Sequence, residues 1–275
     1  MRRYGLNPAT PILLRPDGVV QVGWDPRRAV VVRPPSGMTA TVLADLLRRL
    51  QSGATLGDLQ CHAADVDPTL IADLVTMLVG AGVVTAAAPR RTRAAAVRIH
   101  GSGPLSDLLS TALRCSGARV THSARNNAGA PSEPTDLVVL SDYLVADPRV
   151  VHDLHAAGIA HLPVRVRDGT GLVGPLVIPG VTSCLGCADL HRSDRDAAWP
   201  AVAAQLRDTV GTADRATVLA TAALALNQVD RVIRAVREER STDEPLPTLD
   251  TTLEFDVNVG SVVARRWSRH PSCPC

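Results

Sequence analysis

Lysine is absent from this 275-residue chain, and all 29 basic residues are arginine. That excludes mechanisms built on a P-loop lysine, a Schiff-base lysine or a lysine contact to a triphosphate. Aromatic residues are scarce, with three Trp, two Tyr and one Phe, which leaves few stacking platforms for single-stranded nucleic acid. The acids nearly cancel the arginines, for a formal net charge of +2, so nucleic acid is not an expected partner. Long apolar runs are missing too. The longest, Leu70 to Val84 and Ala216 to Leu226, fall short of the roughly 18–20 residues that span a bilayer, and the first contains Asp73. Met1 to Leu14 holds two arginines, then Asn7 and two prolines where a signal sequence would be apolar. A cytoplasmic protein without a membrane partner is expected. What the chain does have is 45% apolar side chains, enough for a buried core and unlike the low hydrophobicity and high net charge of disorder.

Composition breaks at AAAPRRTRAAA, Ala86 to Ala96, which carries neither helical nor strand period and reads as a linker over 87–96. Before it, Pro11 to Leu14, Val19 to Trp24 and Ala29 to Arg33 are short strand-like runs separated by the turn signals Pro16-Asp17-Gly18 and Asp25-Pro26. Val42, Leu43, Leu46, Leu47 and Leu50 then follow helical spacing, with Thr39 or Thr41 as the cap and Gly53 past the end. Thr55 to Ala63 reads as a second helix. A third starts at Pro68 after Asp67, with Leu70, Ile71, Leu74, Val75, Leu78 and Val79 on its buried face. The expectation for 1–86 is a small winged-helix-like domain in the order β-β-β-α-α-α.

After the linker, Ala95 to His100 reads as a strand that enters Gly101-Ser102-Gly103, then a helix to about Ser116 and a strand Ala118 to His122. Asp136 to Ser141 is a continuous apolar run suited to a buried parallel strand. A helix at Pro148 to Ala157, strands at Leu162 to Arg167 and Leu172 to Ile178, a long helix at Asp214 to Glu239 and a hairpin between Leu253 and Trp267 complete the pattern. The fold class expected for 97–275 is α/β, a mostly parallel sheet with a C-terminal antiparallel hairpin.

Two close cysteine pairs, Cys184-Leu-Gly-Cys187 and Cys273-Pro-Cys275, are separated by residues 188–272. Two thiolates on a tight turn can take two corners of a tetrahedron and the far pair the other two, so a structural Zn²⁺ is the expected cofactor. Four thiolates leave no open position for catalysis, and closing so long a loop removes on the order of a few kcal/mol of entropy from the unfolded chain. A redox-active CxxC, or four free or disulfide-bonded thiols, are the competing readings. His191 and His270 are reserve ligands. Cys61 and Cys115 fall in helical patterns and read as packed small residues.

The helix start after Gly101 and Gly103 could hold a phosphate on its free N–H groups, with Asp142 at a strand end facing a magnesium ion or capping a turn. Yet no acid follows the second strand between Gly117 and Ser132, Pro104 lacks an N–H and Ser106 stands at the third glycine. Gly101, Gly103 and Asp142 are therefore only a weak ATP site, and ATP is not expected.

These residues carry a resemblance. The glycine loop, Asp136 to Asp142, the run Gly174 to Cys187 and the ending Arg266 to Cys275 resemble the E1-like, ThiF/MoeB superfamily, a Rossmann-type fold. Cys184 through Leu190, Arg192, Asp196, Trp199, Pro200, Gln205 and Leu206 is similar to one branch, the ThiF-like leader-peptide-binding or cyclodehydratase-partner proteins of azoline-forming peptide clusters. The N-terminal module is similar to their PqqD-related recognition element.

The resemblance implies an E1 fold without its chemistry. Active members use ATP-contacting arginine and lysine and an acid after strand two, and many a cysteine nucleophile. This chain has no lysine, lacks that acid and offers no cysteine between Asp142 and Cys184. The branch adds a leader peptide as a strand beside the module's third strand, against its third helix, which implies contacts at Val30, Val32, Ala72, Val75 and Thr76. It also implies a precursor peptide and a YcaO-type cyclodehydratase as partners, and a homodimer. The alternatives are an ATP-dependent adenylyltransferase acting on a peptide or protein C-terminus, for which Asp142 would be catalytic, and a winged-helix transcription factor. The last is disfavoured by the arginine-free run Leu70 to Leu78.

Overall fold

The computed structural model describes residues 2–87, 94–124, 133–236 and 246–275. They fall into two compact units that meet in sequence near residue 91. The first contains strands β1 (Arg3–Leu6), β2 (Ile12–Leu14), β3 (Val20–Val22) and β4 (Val30–Val32), helix α1 (Ala40–Gln51), strand β5 (Ala54–Thr55), helices α2 (Leu56–His62) and α3 (Pro68–Gly80), and strand β6 (Val84–Ala87).

Local signals account for the helices. The Thr39 hydroxyl accepts from the Val42 N–H at 3.2 Å, Thr55 and Asp58 form a reciprocal capping box, and Asp67 caps an α3 that begins with Pro68. Leu43, Leu46, Leu47 and Leu50 make one buried stripe that meets Ile71, Leu74, Val75 and Leu78 in the core.

The strands correct the expected order. The three anticipated strands do form an antiparallel sheet, β2-β3-β4, but a second sheet, β5-β1-β6, lies alongside them in sequence space. Arg3 pairs with both Thr55 and Ala87. The segments RYGL, AT and VTAA are too short to carry a strand pattern of their own; they are strands because distant partners pair with them. Of the expected linker, 88–93 lies outside the described residues, while Ala87 closes β6 and Ala96 opens the next strand.

The second unit contains β7 (Ala96–His100), α4 (Pro104–Leu113) with a 3₁₀ turn at Arg114–Ser116, β8 (Arg119–Ser123), β9 (Leu137–Ser141), α5 (Pro148–Ala156), β10 (His161–Arg167), β11 (Thr170–Val173), α6 (Leu185–Arg195), α7 (Trp199–Leu206), α8 (Arg215–Val236), β12 (Thr251–Asp256) and β13 (Ser261–Arg266). They build one seven-stranded sheet, ordered β13-β12-β11-β10-β9-β7-β8. The strands from β8 to β10 run parallel; β11 to β13 add an antiparallel half. The expected strand Leu172 to Ile178 ends at Val173, because Gly174 takes a left-handed φ of 96° and the chain leaves the ladder; Val177 bridges back to His161 of β10, while Leu176 bridges Leu249. Helices α6 and α7 were not anticipated.

Alternation assigns the two faces of the sheet. Val97, Ile99, Leu162, Val164 and Val166 pack against α4 and α8. Gly171 permits this approach, since a Cβ there would overlap the Thr221 hydroxyl of α8. Val138 and Leu140 face α5 and the start of α6 on the other side. No helix among the described residues is long and apolar enough to cross a membrane.

Candidate metal centre and glycine loop

Cys184 is the N-cap of α6 and Cys187 lies in its first turn, so a helix start fixes one pair. The segment after β13 brings in the other. Cys184 Sγ lies 3.8 Å from Cys187 Sγ and 3.5 Å from Cys273 Sγ, and Cys187 Sγ lies 3.4 Å from Cys275 Sγ. A tetrahedron with Zn–S bonds of about 2.3 Å has edges of about 3.8 Å, whereas a disulfide needs about 2.0 Å. All four cysteines are free, their sulfurs lie within 4.8 Å of one another, and the set fits a zinc ion. Gly186 lies between the two pairs, where a Cβ would stand in ordinary contact with Cys184 Sγ at 3.4 Å and Cys273 Sγ at 3.7 Å. Burial pushes the Cys184 thiol well up. It acts in the same sense on Cys187, but hydrogen bonding with the His270 and Cys184 backbones holds that thiol down at about 7.

The reserve ligands stand apart from the four sulfurs. His191 and His270 stack edge to face at 4.8 Å, His270 Nε2 is 2.8 Å from Asp194 Oδ2 and His191 Nε2 is 3.1 Å from the Ser268 carbonyl. Together they tie the C-terminal segment to α6. Cys61 and Cys115 are exposed, which corrects their reading as packed residues.

The glycine loop is closed by the protein itself. Asp142, 1% exposed and at a left-handed φ of 72°, accepts hydrogen bonds from the N–H groups of Leu105 (2.9 Å) and Ser106 (3.1 Å) and from the Ser106 hydroxyl (2.5 Å). Its carboxylate sits at the positive end of α4. Gly103 N–H donates to Ser106 Oγ at 3.0 Å, Gly101 N–H to the Ser123 carbonyl at 3.0 Å, and Pro104 has none. The glycines are needed for this contact: a Cβ on Gly103 would come within 2.8 Å of Asp142 Oδ1, and one on Gly101 would overlap Ser141.

Among the expected peptide-contact positions, Val32 and Val75 are buried in the core. Val30 and Thr76 are exposed and Ala72 is half-buried. Val31 and Met77, which sequence reasoning omitted, are exposed beside them. Among the described residues strand β4 pairs only with β3, so one of its edges has no partner strand there.

The second unit thus defines a mixed α/β protein with a seven-stranded sheet, a four-cysteine cluster and a self-capped glycine loop. No protein-family model and no curated relative matches the chain. Solved structures share its fold. A heterocyclase in complex with substrate and cofactor matches with a TM-score of 0.67 at 16% identity, covering 100% of this chain and 39% of that one. The heterocyclase TruD gives 0.67 at 17% identity, covering 100% and 42%. This chain therefore spans about two fifths of those heterocyclases. E. coli MccB, solved with ATP, gives 0.57 at 13% identity over 99% of both chains.

Proposed function

We propose that the chain is a non-catalytic, zinc-stapled scaffold of E1-like fold that captures the leader of a ribosomally made precursor peptide and presents it to a modifying enzyme, a YcaO-type cyclodehydratase. The observation that carries this reading is the Asp142 carboxylate, which takes the backbone donors at α4 that a triphosphate would need. The fold shared with heterocyclases, one of them solved with substrate, supports it. In this reading 1–86 is the winged-helix-like, PqqD-related recognition element, 87–96 the linker and 97–275 the E1-like half, which would also form a homodimer in the cytoplasm. The leader adds to the open edge of β4, with Val30, Ala72 and Thr76 as its side-chain contacts and Val32 contributing backbone alone. Cys184, Cys187, Cys273 and Cys275 hold a zinc ion whose role is to fix the C-terminal segment.

Fluorescence polarisation with a labelled leader, from a precursor encoded beside this gene, tests the proposal. Binding is expected, and the double variant Val30→Asp, Thr76→Arg weakens it about tenfold or more while melting with the wild type. ATP–pyrophosphate exchange stays at background. The likeness to MccB over both full lengths favours a second reading, an adenylyltransferase. Robust exchange, abolished by an Asp142→Ala variant with wild-type circular dichroism, would replace the scaffold reading with that one.

A further inference from the structure

The sheet face under α5 and α6 is not packed throughout. Beside Val138 and Leu140 it opens into a cavity of about 700 Å³, walled by Leu144, Val151, Pro175, Leu185 and Leu206. Arg165 lines it from β10, a strand with neighbours on both sides. Leu162, Val164 and Val166 point into the opposite core, so alternation puts Arg165 on the face where β9 offers only apolar residues.

Among the described residues no hydrogen bond or ion pair engages the Arg165 guanidinium. Asp189, whose charge it feels, is committed elsewhere, to Arg192 Nη1 at 2.7 Å and Trp199 Nε1 at 3.1 Å. Asp168, the other carboxylate of the lining, belongs to the turn between β10 and β11. Burial, with Arg192 and Arg167 nearby, lowers Arg165 to about 10 against the opposing pull of Asp189; Cys184, Cys273 and Cys275 of the metal centre share the lining. Arg192 is held at 5.0 Å from each of two indoles, Trp199 and Trp267. A half-buried cation that lines a cavity and has no hydrogen-bond or ion-pair partner among the described residues is placed to meet an anionic ligand.

We infer that the cavity binds an oxyanion carried on an apolar body, a carboxylate or a phosphate, with Arg165 as its charge partner and the indole-held Arg192 as a second donor. A volume of this size exceeds a bare anion and suits a small organic molecule. The inference concerns the second unit alone and stands whether or not the first captures a peptide.

Isothermal titration of the zinc-loaded full chain with hexanoate, hexyl phosphate and hexanol tests it. At least one anion is expected to bind about tenfold or more tightly than hexanol, and whichever binds tighter identifies the head group. Arg165→Met removes that advantage, keeps its zinc and melts no lower than wild type, because it deletes a charge that no ion pair holds among the described residues. Hexanol binding as well as both anions, no binding of either anion, or unchanged anion binding by Arg165→Met overturns the inference. So does an Arg165→Met chain that melts lower or loses zinc, since the guanidinium would then be a counter-charge to the thiolates.

Discussion

His161 is fully buried on β10, with Nδ1 3.1 Å from the Ile159 carbonyl and Nε2 without a partner among the described residues. Burial lowers its pKa to about 4 from an ordinary 6.5. Between those values the unfolded chain binds the proton and the folded one does not, so this contribution is complete above about pH 6.5 and is lost as pH falls towards 4. It amounts to roughly 3 kcal/mol. His161→Asn, which keeps a donor for Ile159, is expected to flatten the urea midpoint against pH in that window; His100 and His155, lowered by burial in the same sense, leave a residual slope. The sequence showed Asp142 as a strand-end acid facing a metal or capping a turn. Only the fold brings Leu105 and Ser106 to its carboxylate, and that contact is what bears on the glycine loop. The helical spacing of α3 already put Val75 on a buried face, whereas the three-residue β4 carries too short a pattern to show that Val32 turns inward.

In the first unit helices were more legible than strands, for a physical reason. The cap, the apolar stripe and the stop of α1 all lie within fifteen residues or so, whereas β1 exists because residues around 55 and 87 pair with it. Thr39 is exposed and its hydroxyl serves the Val42 N–H, so Thr39→Ala is expected to cost about 1 kcal/mol and Thr39→Ser almost nothing, read from urea unfolding. The contact of α8 with β11 is less forgiving. Gly171→Ala forces a methyl against Thr221 and is expected to cost about 1–3 kcal/mol by the same measurement. The double variant Gly171→Ala, Thr221→Ala recovers part of that loss, because the obstructing hydroxyl goes with the side chain.

At the scale of the whole molecule, the cysteine pairs were the feature most legible in the sequence, since spacing alone marks them as half-sites. That the two pairs would close on each other was expected too, but the route was not legible, because it depends on β12 and β13 extending the sheet so that Cys273 and Cys275 reach the start of α6. Stripping zinc with a chelator is expected to speed hydrogen exchange in 251–275 and in α6 while leaving 2–87 unchanged; uniform exchange across the chain would contradict a local staple. Cys275→Ser is expected to show the same pattern without chelator. The distance along the chain also sets a clock. Residues 188–272 separate the inner members of the two pairs, so at about 5–20 residues per second the first pair emerges from the ribosome roughly 4–17 s before its partners. Over that interval β11 also waits for β12. The parallel strands can form as they appear, but the antiparallel half and the cysteine centre can close only after β12, β13 and the second cysteine pair have followed.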